Sequence, residues 1–230
     1  MAAIRVRASP DGSSGVSRKY EATGSEAEFE PGSRRRVLCN LLGIRLVGKM
    51  NQAESDALLA ATNQVIDETT DSQRFTASGV CDIHARWLGN IYPWAGTYRS
   101  VNIAKGEFMF AAANEVPRLM REFEQGPLRI YTPLRADAVD AQSEALAVVH
   151  AELILIHPFR EGNGRCARVL ATLMALQSDL PPLDFSGIEG KEKRRYIAAI
   201  HTAMSRDYEL MQEIFRRIIA RSFRAALAKR

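Results

Sequence analysis

Two apolar segments near the middle of the chain constrain its fold more than any other feature of its 230 residues. AVVHAELILI (147–156) and VLATLMAL (169–176) flank a polar break, HPFREGNGR (157–165). The second segment is apolar on nearly every side at helical spacing, which suits a helix surrounded by protein. No run in the chain approaches the ~18 apolar residues that a membrane helix needs. Both segments therefore read as core helices, with the break held at their junction. Pro158 disfavours helical geometry at the residue before it, so the first helix is expected to end at or just before His157.

The break carries the parts of a phosphate site. Gly162 and Gly164 permit backbone conformations closed to other residues and let a ligand approach the main chain. The second helix starts near Asn163 and Gly164, where unpaired N–H groups and the positive end of the helix dipole favour an anion. Arg165 and Arg168, three residues apart, share one face of the first turns. Two cations there oppose the dipole unless an anion lies between them and the amides. Glu161 stands just outside the helix. Beside a polyphosphate, a carboxylate serves mainly to hold Mg²⁺. A neutral imidazole at His157 can take a proton from a hydroxyl near neutral pH, so the chemistry expected is attack by a hydroxyl on a phosphorus held in the turn. Each residue has a plainer reading: turn glycines, surface charges, a histidine satisfied by backbone bonds. That plainer reading is given to His84, His150 and His201.

Around this centre the chain reads as all-α, a bundle of about eight helices with one small β-hairpin. Helical patterns are expected at 34–44 (RRRVLCNLLGI, with Ser33 as cap), 51–69, 77–88 and 114–124, and again at 136–156, 163–178, 190–204 and 207–226. TYRSVNIAKGEFMFA alternates apolar and polar residues about Gly106, which predicts a hairpin over about 98–111. Residues 1 to about 18 are small and polar, and a second polar patch ends near Ser33. Residues 1–32 are accordingly expected to be a flexible extension, and 33–230 one catalytic domain with its active-site loop at 157–165.

Composition narrows the partners. Thirty-one basic and 27 acidic residues leave a charge of +4, too mild to point to nucleic acid as the main ligand. Three cysteines, at 39, 81 and 166, are too few and scattered for a disulfide framework or zinc site, and suit a reducing compartment. With no apolar segment of signal-peptide length at the N-terminus, a cytoplasmic protein without membrane contact is expected. GIRLVGKM (43–50) comes close to a phosphate-binding P-loop, but Met50 stands where a metal-binding hydroxyl belongs.

HPFREGNGR followed by CAR resembles the signature of the Fic family, H-P-F-x-[DE]-G-N-G-R-x-x-R, at every specified position from His157 to Arg168. IHARWLGNIYPWAGTYR (83–99) is similar to the family's upstream helix and W-A-G segment, and KGEFMF (105–110) falls where the family has a flap hairpin. The resemblance spans roughly residues 37–215. It implies a Fic-type helical fold and transfer of AMP from ATP, the co-substrate, to a Ser, Thr or Tyr hydroxyl of a target protein. It implies His157 as the base, Glu161 as the Mg²⁺ ligand, Gly162, Asn163 and Gly164 as the anion cradle, and Arg165 and Arg168 as holders of the β- and γ-phosphates. Phe159 is implied to anchor the loop in the core. The flap, with Lys105, Gly106 and Phe110, is implied to pair with an extended target segment. Tyr196 and Tyr208 are candidates for an adenine pocket.

The family's inhibitory pattern, [ST]-x-x-x-E-[GN], is not found in this chain. The resemblance therefore suggests a toxin-like member, a separate small helical antitoxin supplying a glutamate to Arg168, and a target among DNA gyrase or topoisomerase IV subunits. Two further readings stand beside it. The same scaffold can remove AMP or transfer another phosphoryl-linked group. From a different class, the basic end RRIIARSFRAALAKR, with six basic and no acidic residues, suits a helical nucleic-acid-binding module.

Overall fold

The computed structural model describes residues 21–22, 26, 28–106 and 108–228. The stretch 1–18 and the last two residues lie outside them. The described residues form an all-α bundle with one small sheet. Its helices are α1 (Val47–Glu68), α2 (Ala77–Leu88), α3 (Val116–Phe123), the single turn α4 (Arg129–Tyr131), α5 (Val139–Ile156), α6 (Asn163–Leu176), α7 (Gly190–Ala203) and α8 (Glu209–Leu227). A π-helical stretch over Glu124–Leu128, containing Pro127, carries α3 into α4.

The apolar segments dictate the layout. α5 is buried on nearly all sides, through Leu146, Ala147, Val149, Ala151, Leu153 and Ile156 among others. It packs against α3, α6, α7 and α8. α6 is buried almost as fully, from Cys166 to Ala175. A smaller cluster of Val37, Met50, Ala61, Trp87, Leu88, Ile91 and Tyr92 joins α1 to α2. α8 turns Met211, Ile214, Phe215, Ile218 and Ile219 inward. Of its arginines, Arg216 pairs with Asp140 and Arg217 with Glu192. The basic stretch in α8 is the outer face of a packed amphipathic helix.

The hairpin forms where alternation predicts it. β2 (Ile103–Lys105) pairs antiparallel with β3 (Phe108–Met109), Ala104 opposite Met109 and Lys105 opposite Phe108. Gly106 makes the turn at φ +59°. The structure adds a third strand: β1 (Glu21–Ala22), from within the 1–32 extension, pairs with the other side of β2, giving the order β1-β2-β3. Glu26 reinforces the contact. Its carboxylate accepts from the Ser100 N–H and hydroxyl, and its carbonyl accepts from Arg160.

One expected helix is absent. RRRVLCNLLGI is a run of turns carrying an isolated bridge between Phe29 and Leu38. The Asn40 amide explains this: it donates to the carbonyls of Leu38 and Ile44 and accepts from the N–H groups of Leu42 and Ile44. An Asn side chain that captures nearby backbone groups competes with a helix for them. Arg34, Arg35 and Gly43 also take left-handed conformations. Ser33, expected as a cap, accepts from the Val37 N–H within this turn. The helix begins instead at Val47, so Gly48 to Met50 lie in the first turn of α1 and form no phosphate loop. Among the described residues, no helix is long and apolar enough to cross a membrane.

Candidate active site

α5 ends at His157, which adopts a left-handed conformation (φ 52°, ψ 59°) before Pro158. That backbone is strained for a residue with a side chain, and its neighbours hold it there. Arg99, buried and lowered to a pKa of about 10 chiefly by that burial, donates from Nε to the His157 carbonyl at 2.7 Å. Its two other nitrogens reach the carbonyls of Val101 and Ala111 at either root of the hairpin. The Arg99 N–H donates to the Pro158 carbonyl. One side chain therefore fixes the end of α5 and the base of the flap together. Its part in the site is invisible in the local pattern around position 99.

The His157 ring has a defined tautomer. Nδ1 lies 3.0 Å from the Ile154 carbonyl oxygen, which can only accept, so Nδ1 carries the proton and the lone pair of the neutral ring is on Nε2. Phe110 stacks on the imidazole with centroids 3.6 Å apart. Burial first, then the charges of Arg99 and Lys105, push the His157 pKa down to about 3. A neutral ring is what the sequence predicts; burial takes it far below neutrality, and Phe110 is one of the groups packed on it. Lys105 and Gly106 sit at the exposed end of the hairpin, while Phe110 reaches the centre, where Phe108 meets it edge-on and stacks on His201.

The turn beyond His157 is closed by its own side chains. The Asn163 amide accepts from the Phe159 N–H and donates to the Phe159 carbonyl, both at 2.8 Å. Its side chain is thus committed to the loop, and only its backbone N–H faces the helix start. Phe159 is fully buried and stacks on His84 at 3.8 Å, so it anchors the loop as expected. His84 accepts from the Gly96 N–H at Nδ1, which leaves Nε2–H to donate to the Glu161 carbonyl at 3.0 Å. Burial holds its pKa down at about 4. Gly162 begins α6 at φ +86°, and a Cβ there would lie 2.6 Å from the Trp87 ring. A Cβ on Gly164 would meet nothing within 4 Å. Gly162 is therefore required for packing, whereas at Gly164 the space beside the backbone is open.

The two arginines differ sharply. Arg165 Nη1 lies 2.6 Å from Oε2 of Glu54, a carboxylate on α1 that is 6% exposed. Its other arm reaches the Glu161 carboxylate at 3.4 Å, and its guanidinium lies over the Trp87 ring at 4.5 Å. Glu54 is held in turn by the Tyr92 hydroxyl at 2.7 Å, and its carbonyl accepts from Trp87 Nε1. Arg168 has no carboxylate within ion-pair distance among the described residues and packs over Phe185 at 5.3 Å. No group of three metal-ligating side chains occurs among the described residues. A divalent cation at Glu161 would therefore need phosphate oxygens to complete its shell, which is how Mg²⁺ is commonly held.

The tyrosines proposed for adenine are tied to α5. The Tyr196 hydroxyl lies 2.7 Å from His150 Nε2, and Tyr208 bonds Glu152. His150 is buried among Phe185, Tyr196 and Phe215, with its pKa pushed down to about 3 by that burial. Of the three histidines read as structural, His84 and His150 are satisfied by such contacts, and His201 is exposed and stacks on Phe108.

Comparison with known proteins agrees with the geometry. Residues 74–175 match a sequence model of the Fic/DOC family. The protein adenylyltransferase VbhT of Bartonella schoenbuchensis is 29% identical over 201 residues, covering 87% of this chain and 40% of VbhT. A Sinorhizobium fredii protein named "Probable protein adenylyltransferase y4lH" is 30% identical over 138 residues, covering 60% of this chain and 69% of that one. The fold resembles the crystal structure of the BepC protein of Bartonella tribocorum with bound AMPPNP, at a TM-score of 0.68 and 23% identity over 84% of this chain and 98% of that one. The chain spans well under half the length of VbhT.

Proposed function

The chain belongs to the Fic/DOC family, and on that premise we propose that it is a protein adenylylyltransferase, moving AMP from ATP to a Ser, Thr or Tyr hydroxyl of a target protein and releasing pyrophosphate. The observation that carries this reading is the loop closed by Asn163, which joins an imidazole of fixed tautomer at the end of α5 to the start of α6, where the Gly162 N–H donates to the Glu161 carboxylate at 3.1 Å. The relatives named as adenylyltransferases and the nucleotide analogue held by BepC support it.

On this reading His157 Nε2 takes the proton of the target hydroxyl as its oxygen bonds to the α-phosphorus and the bond to pyrophosphate breaks. The N–H groups of Gly162, Asn163 and Gly164 cradle the phosphates. Arg168 meets the terminal phosphates, and Arg165 adds its charge from between Glu54 and Glu161. Glu161 is the side chain that would hold Mg²⁺, whose chemistry there is to neutralise phosphate charge as pyrophosphate departs. Phe110 has to leave the imidazole before a hydroxyl can reach it, and a target strand pairing with the flap along its edge strand Phe108–Met109, past the turn at Lys105 and Gly106, is the event that displaces it. A glutamate supplied in trans by a small antitoxin would act at Arg168; type II topoisomerase subunits remain the proposed target class.

The test uses ATP labelled at the α- or the γ-phosphate in a cell lysate. Label from the α position alone should enter protein, and His157→Ala should abolish transfer while leaving nucleotide binding intact. Label from the γ position, or transfer undiminished in the variant, refutes the assignment.

A further inference from the structure

The bridge made by Arg165 reaches outside the family motif. Its partner Glu54 lies 111 positions earlier, on a helix outside the motif. The chain of contacts runs from the Tyr92 hydroxyl to Glu54 Oε1, from Glu54 Oε2 to Arg165 Nη1, and from Arg165 Nη2 to Glu161 Oε1, at 2.7, 2.6 and 3.4 Å. Arg165 is therefore shared between two carboxylates, and the buried one holds it closer. A buried carboxylate is costly unless a cation and hydrogen bonds compensate it, and Glu54 has both. Trp87 fixes the geometry from two directions: its Nε1–H donates to the Glu54 carbonyl and its ring underlies the guanidinium.

We propose that Glu54 is a positioning residue for the divalent cation: by drawing Arg165 onto itself, it keeps that guanidinium from closing on the Glu161 carboxylate. The inference rests on Glu161 as the metal-holding side chain. Its logic is one of charge. Glu54, Arg165 and Glu161 together carry a net charge of −1. Replacing Glu54 by glutamine makes the trio neutral and leaves Arg165 a single carboxylate to pair with. A cation then loses the attraction of the cluster and competes with a guanidinium drawn more closely onto Glu161. A polyphosphate without metal feels the opposite change, since less negative charge faces it.

The experiment is calorimetry on the full chain with α,β-methylene-ATP, which cannot be cleaved at the α–β bond, titrated at rising Mg²⁺ and again in chelator. In Glu54→Gln the Mg²⁺ needed for half-maximal effect should rise about tenfold, the scale of one unit charge at close range. Affinity in chelator should hold or tighten. A purely structural role would weaken both modes, and that outcome overturns the proposal, as does an unchanged Mg²⁺ requirement. The double variant Glu54→Gln/Arg165→Gln restores the net charge to −1 and should return the requirement to near its original value. If the double variant keeps the tenfold loss, Glu54 does not act through Arg165. Should Glu54→Gln fail to fold, Arg165→Gln carries the test: its Mg²⁺ requirement should fall below that of the unaltered chain, and no change overturns the proposal. If the unaltered chain binds no nucleotide at all, it is the adenylylation reading that fails, and the two failures are thereby distinguished.

Discussion

Acid should unfold this protein unusually early, because three histidines are buried as neutral rings. His84 is held at a pKa of about 4, and His150 and His157 at about 3, in each case chiefly by burial. In the unfolded chain each returns to about 6.5. The folded state resists the proton that the unfolded state accepts, so the full stability is present above that value. It is lost as pH falls from there toward the folded-state values of 3 to 4. By about pH 5 each ring costs about 2 kcal/mol, since an unfolded histidine is then mostly charged and the folded ring is not. Three rings together approach about 6 kcal/mol, comparable with the whole stability of a domain. Chemical denaturation followed by circular dichroism at about pH 7.5, 6 and 5 should show the midpoint collapsing over that interval. His150→Gln should flatten the dependence by about a third whatever its own cost at neutral pH. A midpoint that holds steady down to about pH 5 would refute the claim that these rings are buried uncharged.

Three further outcomes follow from the site. Phe110→Ala uncovers His157, so its ring titration, read by NMR, should move up from about 3 toward the ordinary histidine range; an unmoved titration means that the covering comes from elsewhere. Gly162→Ala should destabilise the fold by about 2–4 kcal/mol, through strain at positive φ and a collision with Trp87. Gly164→Ala should leave the melting temperature nearly unchanged and yet weaken nucleotide binding severalfold, because no described residue fills that space; equal affinity in calorimetry would remove Gly164 from the cradle.

The form of the 157–165 loop was readable because its parts are contiguous. Pro158, Gly162 and Gly164, with Arg165 and Arg168 after them, declare a helix end, a turn and a helix start on local rules alone. The long helices were readable for the same reason, and α2 begins and ends where its pattern predicts. What escaped was carried by distant contacts. Glu54 sits four residues after buried Met50 and eleven before buried Val65, on the inward stripe of α1. A charge on such a stripe implies a buried partner, but nothing nearby names Arg165. Arg99 likewise looks like an ordinary strand-flanking residue until its carbonyl partners are assembled around it. The missing helix at 34–44 failed because apolar spacing took no account of one asparagine able to bind the backbone on both sides of itself.

The small sheet has a directional consequence. Its middle strand is bordered on one side by the N-terminal segment and on the other by the hairpin's return. A visiting polypeptide that extends the hairpin has to add at the outer margin of Phe108–Met109. Successive side chains of such a guest point alternately up and down. Only every second position of the guest could then present its hydroxyl toward the imidazole, so moving an acceptor residue by one place along a substrate should silence it, and moving it by two should not.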